Sequence, residues 1–241
     1  MIIDPTSLAY IQTVIKTANL VKIDNIIIEP GKVRAIDSDK TVVLFHDQNV
    51  PTMPFGSIGI NRIDVFSSRV EMAKSVENFS VEAVVDSSGK EPFVRALLMK
   101  GKGIKIDYRC ANPQTIQAPK AVHDPAIYRI KMTPEAILLM QKGQSAMSTD
   151  EVSFVGNQEG VSFVMSDINS DALTYHFADC FDSIGVPVGT SKTLPTFTHK
   201  YPIKTLHSLF KANSDGHFEM TAKGMLKIVV NNLDIYVLAR E

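Results

Sequence analysis

The chain has 241 residues, 44% of them apolar, with 25 Lys and Arg against 26 Asp and Glu. That length buries a sizeable core, as one large domain or as two of about 120 residues. A net charge of −1 excludes a uniformly basic nucleic-acid coat, which needs surplus Lys and Arg to displace counterions from phosphate, so the distribution of charge matters more than its total.

The chain opens on an extended segment, Met1–Ile3, followed by an amphipathic helix over Thr6–Lys22 with Leu8, Ile11, Ile15 and Ala18 at helical spacing. Three strands follow, Asn25–Glu29, Lys32–Ile36 and Thr41–His46, broken at Pro30-Gly31 and Ser38-Asp39. The order then recurs. A weak extended segment, Met53–Ile58, leads to a helix over Ile60–Ser75 carrying Ile63, Phe66, Val70 and Ala73, and to strands Ser80–Val85, Pro92–Met99 and Gly103–Tyr108. Asn112–Pro125, rich in Pro, Gln and Ala and almost without periodicity, reads as an exposed connector.

Beyond it, Ala126–Met132 is extended and Thr133 before Pro134 offers an N-cap with proline at the first helical position of a helix over Thr133–Met147. Strands are expected at Glu151–Val155, Val161–Ser166 and Leu173–Ala178. The last repeat runs from extended Thr193–Lys200 through a helix over Pro202–Asn213, with Ile203, Leu206 and Phe210 as its apolar stripe, to His217–Thr221, Met225–Val230 and Asp234–Ala239. Four β-α-β-β-β units, two per domain, predict an α+β architecture with all helices on one side. The domains are expected at 1–110 and 127–241, with a connector at 111–126.

Three stretches carry a family resemblance: Gly103-Ile104-Lys105-Ile106; Ala111-Asn112-Pro113-Gln114-Thr115-Ile116-Gln117-Ala118-Pro119; and Ile130-Lys131-Met132-Thr133-Pro134-Glu135. In order and spacing they resemble the strand, Pro-flanked connector and helix start of the sliding DNA clamps, and Leu233–Ala239 resembles that family's closing strand. The likeness is greatest to clamps of T-even-type bacteriophages and extends to proliferating cell nuclear antigen. It implies a DNA-clamp fold whose helices line a ring, and a homotrimer that encircles double-stranded DNA without regard to sequence. It further implies a processivity factor that tethers the replicative DNA polymerase, is opened by a clamp loader and works in the host cytoplasm, as a viral protein of DNA replication. Two other readings stand beside it: a processivity subunit of clamp-like fold that grips DNA without closing a ring, and a β-rich viral structural protein.

Helices that line a hole should hold the positive charge. Thr6–Lys22 has Lys16 and Lys22 and no acid; Ile60–Ser75 has Arg62, Arg69 and Lys74 against Asp64 and Glu71; Thr133–Met147 balances Lys142 against Glu135; and Lys200–Asn213 has Lys200, Lys204 and Lys211 and no acid. The four together hold +6, leaving −7 for the rest. Lys204, His207 and Lys211 share one face of the last helix, beside its apolar stripe. Lysines solvate the outer face of any amphipathic helix, but the asymmetry over all four favours phosphate-directed, salt-sensitive contacts of the kind sliding needs. The resemblance also implies a pocket for partner peptides with apolar anchors, formed here by Ile36, Val42, Leu44, Ile116, Ala118, Val122 and Leu238. It implies ring closure between edge strands, Gly103–Tyr108 of one chain and Leu173–Ala178 of the next.

No phosphate loop, dinucleotide fingerprint or His-Glu-x-x-His occurs in the sequence. The His/carboxylate neighbours are His46-Asp47, His123-Asp124 and His176 with Asp179, and Asp37, Asp39 and Asp47 are the carboxylates that could gather a metal. Asp37 and Asp39 sit at a predicted turn, where Asp is favoured for local hydrogen bonds. A protein without enzymatic activity, cofactor or metal is therefore expected. Cys110 and Cys180, far apart and outside any Cys-x-x-Cys, read as buried free thiols. Apolar runs such as Leu226–Val230 fall far short of the roughly 20 residues of a membrane helix, and the N-terminus lacks a signal-peptide layout, so a cytoplasmic protein without membrane contact is expected.

Overall fold

The computed structural model describes residues 1–89, 91–122, 124–182, 185–188 and 195–240. The chain divides into two compact units, Met1–Val122 and His123–Glu241. In the first, the elements are α1 (Pro5–Leu20), β1 (Ile26–Glu29), β2 (Lys32–Ile36), β3 (Val42–His46), β4 (Ser57–Ile60), α2 (Ile63–Lys74), β5 (Ser80–Asp86), β6 (Phe93–Gly101) and β7 (Ile104–Arg109), closed by a single 3-10 turn at Pro113–Thr115. In the second they are β8 (Ala126–Lys131), α3 (Pro134–Ala146), β9 (Glu151–Asn157), β10 (Gly160–Ser166), β11 (Ala172–His176), β12 (Cys180–Asp182), β13 (Phe197–Pro202), α4 (Ile203–Ala212), β14 (His217–Thr221), β15 (Met225–Val230) and β16 (Leu233–Leu238).

The ends of these elements follow local chemistry. Asp4 caps α1 by accepting from the Ser7 amide at 2.9 Å and the Ser7 hydroxyl at 2.6 Å, with Pro5 at the first helical position. Those hydrogen bonds, the hydroxyl's first, hold the Asp4 carboxyl below its ordinary value. Thr133 caps α3 in the same way through the Ala136 amide at 3.2 Å. The β1–β2 turn uses Pro30-Gly31 with Gly31 at φ 82°, and the β15–β16 turn uses Asn231-Asn232, both left-handed at φ 52° and 62°. Asn tolerates that region, and two such residues give the turn whose twist suits a hairpin.

Strand pairing is reciprocal within each unit. The segment before α1 bonds to the strand after α2, through Ile3 N to Val81 O at 2.8 Å and Ala83 N to Met1 O at 2.7 Å. β4, which precedes α2, pairs with β1, which follows α1. In the second unit β8 precedes α3 and pairs with β14, whereas β13 precedes α4 and pairs with β9. Each repeat thus lends its first strand to the other's sheet, so neither repeat can complete a sheet alone. Strand order is β3-β2-β1-β4-β6-β5 in the first unit, with β7 also on β6, and β12-β8-β14-β15-β16 plus β11-β10-β9-β13 in the second.

The helices cover these sheets. Ile11, Val14, Ile15 and Ala18 of α1 and Ile63, Phe66, Val70 and Ala73 of α2 are buried, as are Ala136, Ile137 and Met140 of α3 and Ile203, Leu206, Leu209 and Phe210 of α4. In the second unit Phe154 sits among Phe163, Phe177, Tyr201, Phe210 and Phe218, with ring centroids 5.6–6.5 Å apart. Those with Tyr201 and Phe218 are edge-to-face, a geometry that contributes about 0.5–1.5 kcal/mol per pair beyond burial.

Two expectations need correction. Lys22 lies past the end of α1 in a left-handed turn at φ 58°, because the helix stops at Leu20 with Val21 as its cap. Lys200 belongs to β13, opposite Ser153, and not to the last helix; Pro202 is the N-cap residue and Ile203 the first helical one. β12 has no counterpart in the expected elements, its three residues being too few for a readable period.

Candidate nucleic-acid and partner surfaces

The outer face of α1 is uncharged save for Lys16, exposed beside Gln12, Thr13 and Asn19. With α2 it forms a groove of about 450 Å³ that also contains Ser67, Glu71 and Lys74. The Lys74 ammonium donates to Gln12 Oε1 at 2.9 Å and stands 4.0 Å from Glu71. On α4, Lys204 and Lys211 are exposed and His207 half-buried, on the face away from Leu206 and Phe210. Asp150 lies 3.9 Å from Lys204, with both side chains more than three-quarters exposed, so water screens that pair almost completely. Lys142 is exposed on α3. Within the observed boundaries α1 has one cation and no acid, α2 and α3 balance, and α4 has two cations and no acid, so the helices hold +3. The excess expected from sequence shrinks because Lys22, Arg62 and Lys200 lie outside the helices.

Arg62, which is exposed, and Arg69, half-buried, both reach toward β7. Arg62 occupies the N-cap of α2 with a left-handed backbone, φ 51°, and makes no side-chain cap. Its guanidinium lies 5.6 Å from the Tyr108 ring centre and donates to the Arg109 carbonyl at 3.4 Å. Arg69 lies 5.8 Å from the same ring and donates to the Asp107 carbonyl at 3.4 Å. Tyr108 is fully buried, packs edge-on against Phe66 at 5.0 Å and donates its hydroxyl to the Asn61 carbonyl. Burial pushes that hydroxyl up to about 12, so it remains a neutral donor at physiological pH.

Of the residues expected to form a peptide pocket, Val42 and Leu44 are buried at 2% and 0% exposure and offer no surface. Ile36, Ile116, Ala118 and Val122 in the first unit and Leu238 in the second are half-buried. The connector is pinned to the sheet: Ala111 bridges Gly59, where a Cβ would stand 2.4 Å from the Ala111 oxygen and 3.1 Å from Ile116 Cδ1. Arg34, paired with Glu29 at 2.7 Å, also donates to the Pro119 carbonyl at 3.2 Å. Ile116 therefore anchors the connector and keeps part of its surface open.

Among the described residues β7 pairs only with β6 and β11 only with β10. Cys110 N bonds to Arg95 O and Phe177 N to Val161 O. In an antiparallel ladder bonded and non-bonded pairs alternate, so Lys105, Asp107 and Arg109 of β7, and Ala172, Thr174 and His176 of β11, turn their backbone groups to the outer edge.

Two of the candidate residues take local hydrogen-bond partners. The Asp37 carboxylate accepts from the Thr41 amide and hydroxyl and the Val42 amide at 2.7–2.8 Å, a turn role. His176 Nδ1 is 2.6 Å from the Ser162 hydroxyl, and His123 lies outside the described residues. Among the described residues no group of three or more His, Cys, Asp or Glu is placed to hold a metal, and no helix is long and apolar enough to cross a membrane. Burial pushes the thiols of half-buried Cys110 and buried Cys180 up to about 12 and about 11, so both stay protonated near neutrality.

No protein-family profile matches the chain, and no curated protein matches it. Solved structures do. Proliferating cell nuclear antigen of A. fulgidus, in a structure with the C-terminal region of FEN-1 bound, superposes with a TM-score of 0.61 at 14% identity, covering 96% of this chain and 95% of that one. The proteins of the same name from Entamoeba histolytica and Thermococcus kodakaraensis each give a TM-score of 0.59 at 12% identity, covering 95% of both chains and 100% and 99% respectively. From end to end, this chain has the fold of the proliferating-cell-nuclear-antigen clamps.

Proposed function

We propose that the chain is a sliding clamp: three copies close into a ring around double-stranded DNA and tether a DNA polymerase as its processivity factor, with no enzymatic activity of their own. The observation that carries the reading is the clamp fold over the whole length of the chain. The bare cations of α1 and α4 fit it, because a ring that slides needs weak phosphate attraction and no base readout. Each chain also has two strands, β7 and β11, that lack a second strand partner among the described residues and can serve as the two sides of a heterologous, ring-closing joint. On this reading Lys16, Lys74, Lys142, Lys204, His207 and Lys211 face DNA, and a clamp loader opens the ring. Partner peptides place apolar anchors on Ile36, Ile116, Ala118 and Val122. The likeness of the connector and helix-start strings to T-even-type phage clamps points to a viral protein of the host cytoplasm.

Light scattering coupled to size exclusion over a micromolar concentration series tests the assembly. A mass of three 26.5 kDa chains is expected. A monomer at every concentration would instead favour a processivity subunit that grips DNA without a ring.

A further inference from the structure

The outer edge of β7 is occupied in the single chain. Lys105, Asp107 and Arg109 turn their carbonyls away from β6, and two of those three carbonyls accept guanidinium hydrogen bonds, Asp107 from Arg69 and Arg109 from Arg62, both at 3.4 Å. Both guanidiniums also lie against Tyr108 of the same strand, at 5.6 and 5.8 Å from its ring centre. Arg62 reaches its place from a left-handed N-cap, where glycine or asparagine would sit with less strain and cap the helix better. Strain retained by an arginine whose side chain points at an edge carbonyl has an explanation if the side chain acts on that edge.

We infer that Arg62 and Arg69 form a releasable cap on the β7 edge, which a second copy of this chain must displace before its own strand can add there. The inference rests on the ring reading above and names what regulates that joint. A neighbouring strand would donate its amides to the same carbonyls at normal ladder distances of about 2.9 Å. The arginine bonds are at the long limit of hydrogen-bond geometry and to solvated groups, so they yield to a full ladder. They nonetheless blunt the edge against indiscriminate pairing while the chain is alone. Closing the joint sets two guanidiniums free, Arg69 on α2 and Arg62 at its N-cap, on the side expected to face phosphate.

Self-association of the full chain, followed by sedimentation equilibrium, tests this with two double variants whose folding is checked by circular dichroism. Arg62→Asn with Arg69→Ala removes the cap, since asparagine accepts the left-handed backbone. Arg62→Lys with Arg69→Lys keeps both charges but loses the planar fork. The cap predicts association roughly tenfold tighter in the first variant and a smaller gain in the second. If the wild-type chain associates and the first variant does so equally or more weakly, the cap is overturned and the ring stands. A gain in the first variant with none in the second assigns the effect to charge alone and also overturns the cap. All three forms remaining monomeric would overturn both.

Discussion

Tyr201 and the two α4 lysines stand at opposite extremes of burial in the second unit. Tyr201 is fully buried against Phe154, and among the described residues its hydroxyl has no hydrogen-bond partner; burial pushes its pKa upward. A buried hydroxyl without a partner costs more than its ring contributes through that atom, so Tyr201→Phe is expected to raise stability by about 1 kcal/mol, read from the urea midpoint. Lys204 and Lys211 have the opposite character, exposed and held by nothing stronger than the screened Asp150. Charge reversal of both should weaken DNA binding and lower the slope of log K against log salt by about two, while the mass in solution stays unchanged. An unchanged slope would remove α4 from the DNA-facing surface. Lys204, His207 and Lys211 were legible because helical spacing alone puts them on one face. The engagement of Arg62 and Arg69 was not, because their partners lie about 40 residues away in β7 and no local period encodes that distance.

At the level of elements, the signals that succeeded were those with a backbone reason. Thr133-Pro134 marks the start of α3, Pro30-Gly31 the first hairpin, and β2, β14 and β15 have their expected limits, since alternation and turn residues bracket them. α2 starts three residues beyond its expected Ile60 because Ile60 belongs to β4 and Arg62 supplies an unmarked left-handed cap. Gly156 in β9 is a packing feature that sequence leaves ambiguous: a Cβ there would stand 2.3 Å from Phe197 Cε1 and 2.4 Å from its Cζ. Phe197 is itself held between Tyr128 at 5.6 Å and His199 at 4.9 Å. The ring cannot yield without disturbing β13, so Gly156→Ala should destabilise the protein by about 1–3 kcal/mol, measured by chemical unfolding. A neutral outcome would mean that β13 shifts freely on β9.

For the whole molecule, a fourfold β-α-β-β-β order could be read from the sequence because each repeat announces itself locally. The exchange of first strands between repeats could not, since Ile3 meets Val81 and β8 meets β14 across roughly 80 to 95 residues, and strand identity does not specify a partner. That exchange makes each unit indivisible and leaves β7 and β11 as outer edges among the described residues, the geometry on which the proposed ring depends. Encirclement is best tested by fixing the joint chemically. Asp107→Cys and Thr174→Cys place one thiol on each edge, in a background where half-buried Cys110 and buried Cys180 are replaced by Ser. After assembly on closed circular duplex and crosslinking with a bifunctional thiol reagent, the protein should stay on the circle in about 1 M salt, where exposed charge attraction is screened. It should leave once a single cut linearises the DNA. Equal retention on circle and line, or loss from both, would contradict a ring that holds DNA by topology.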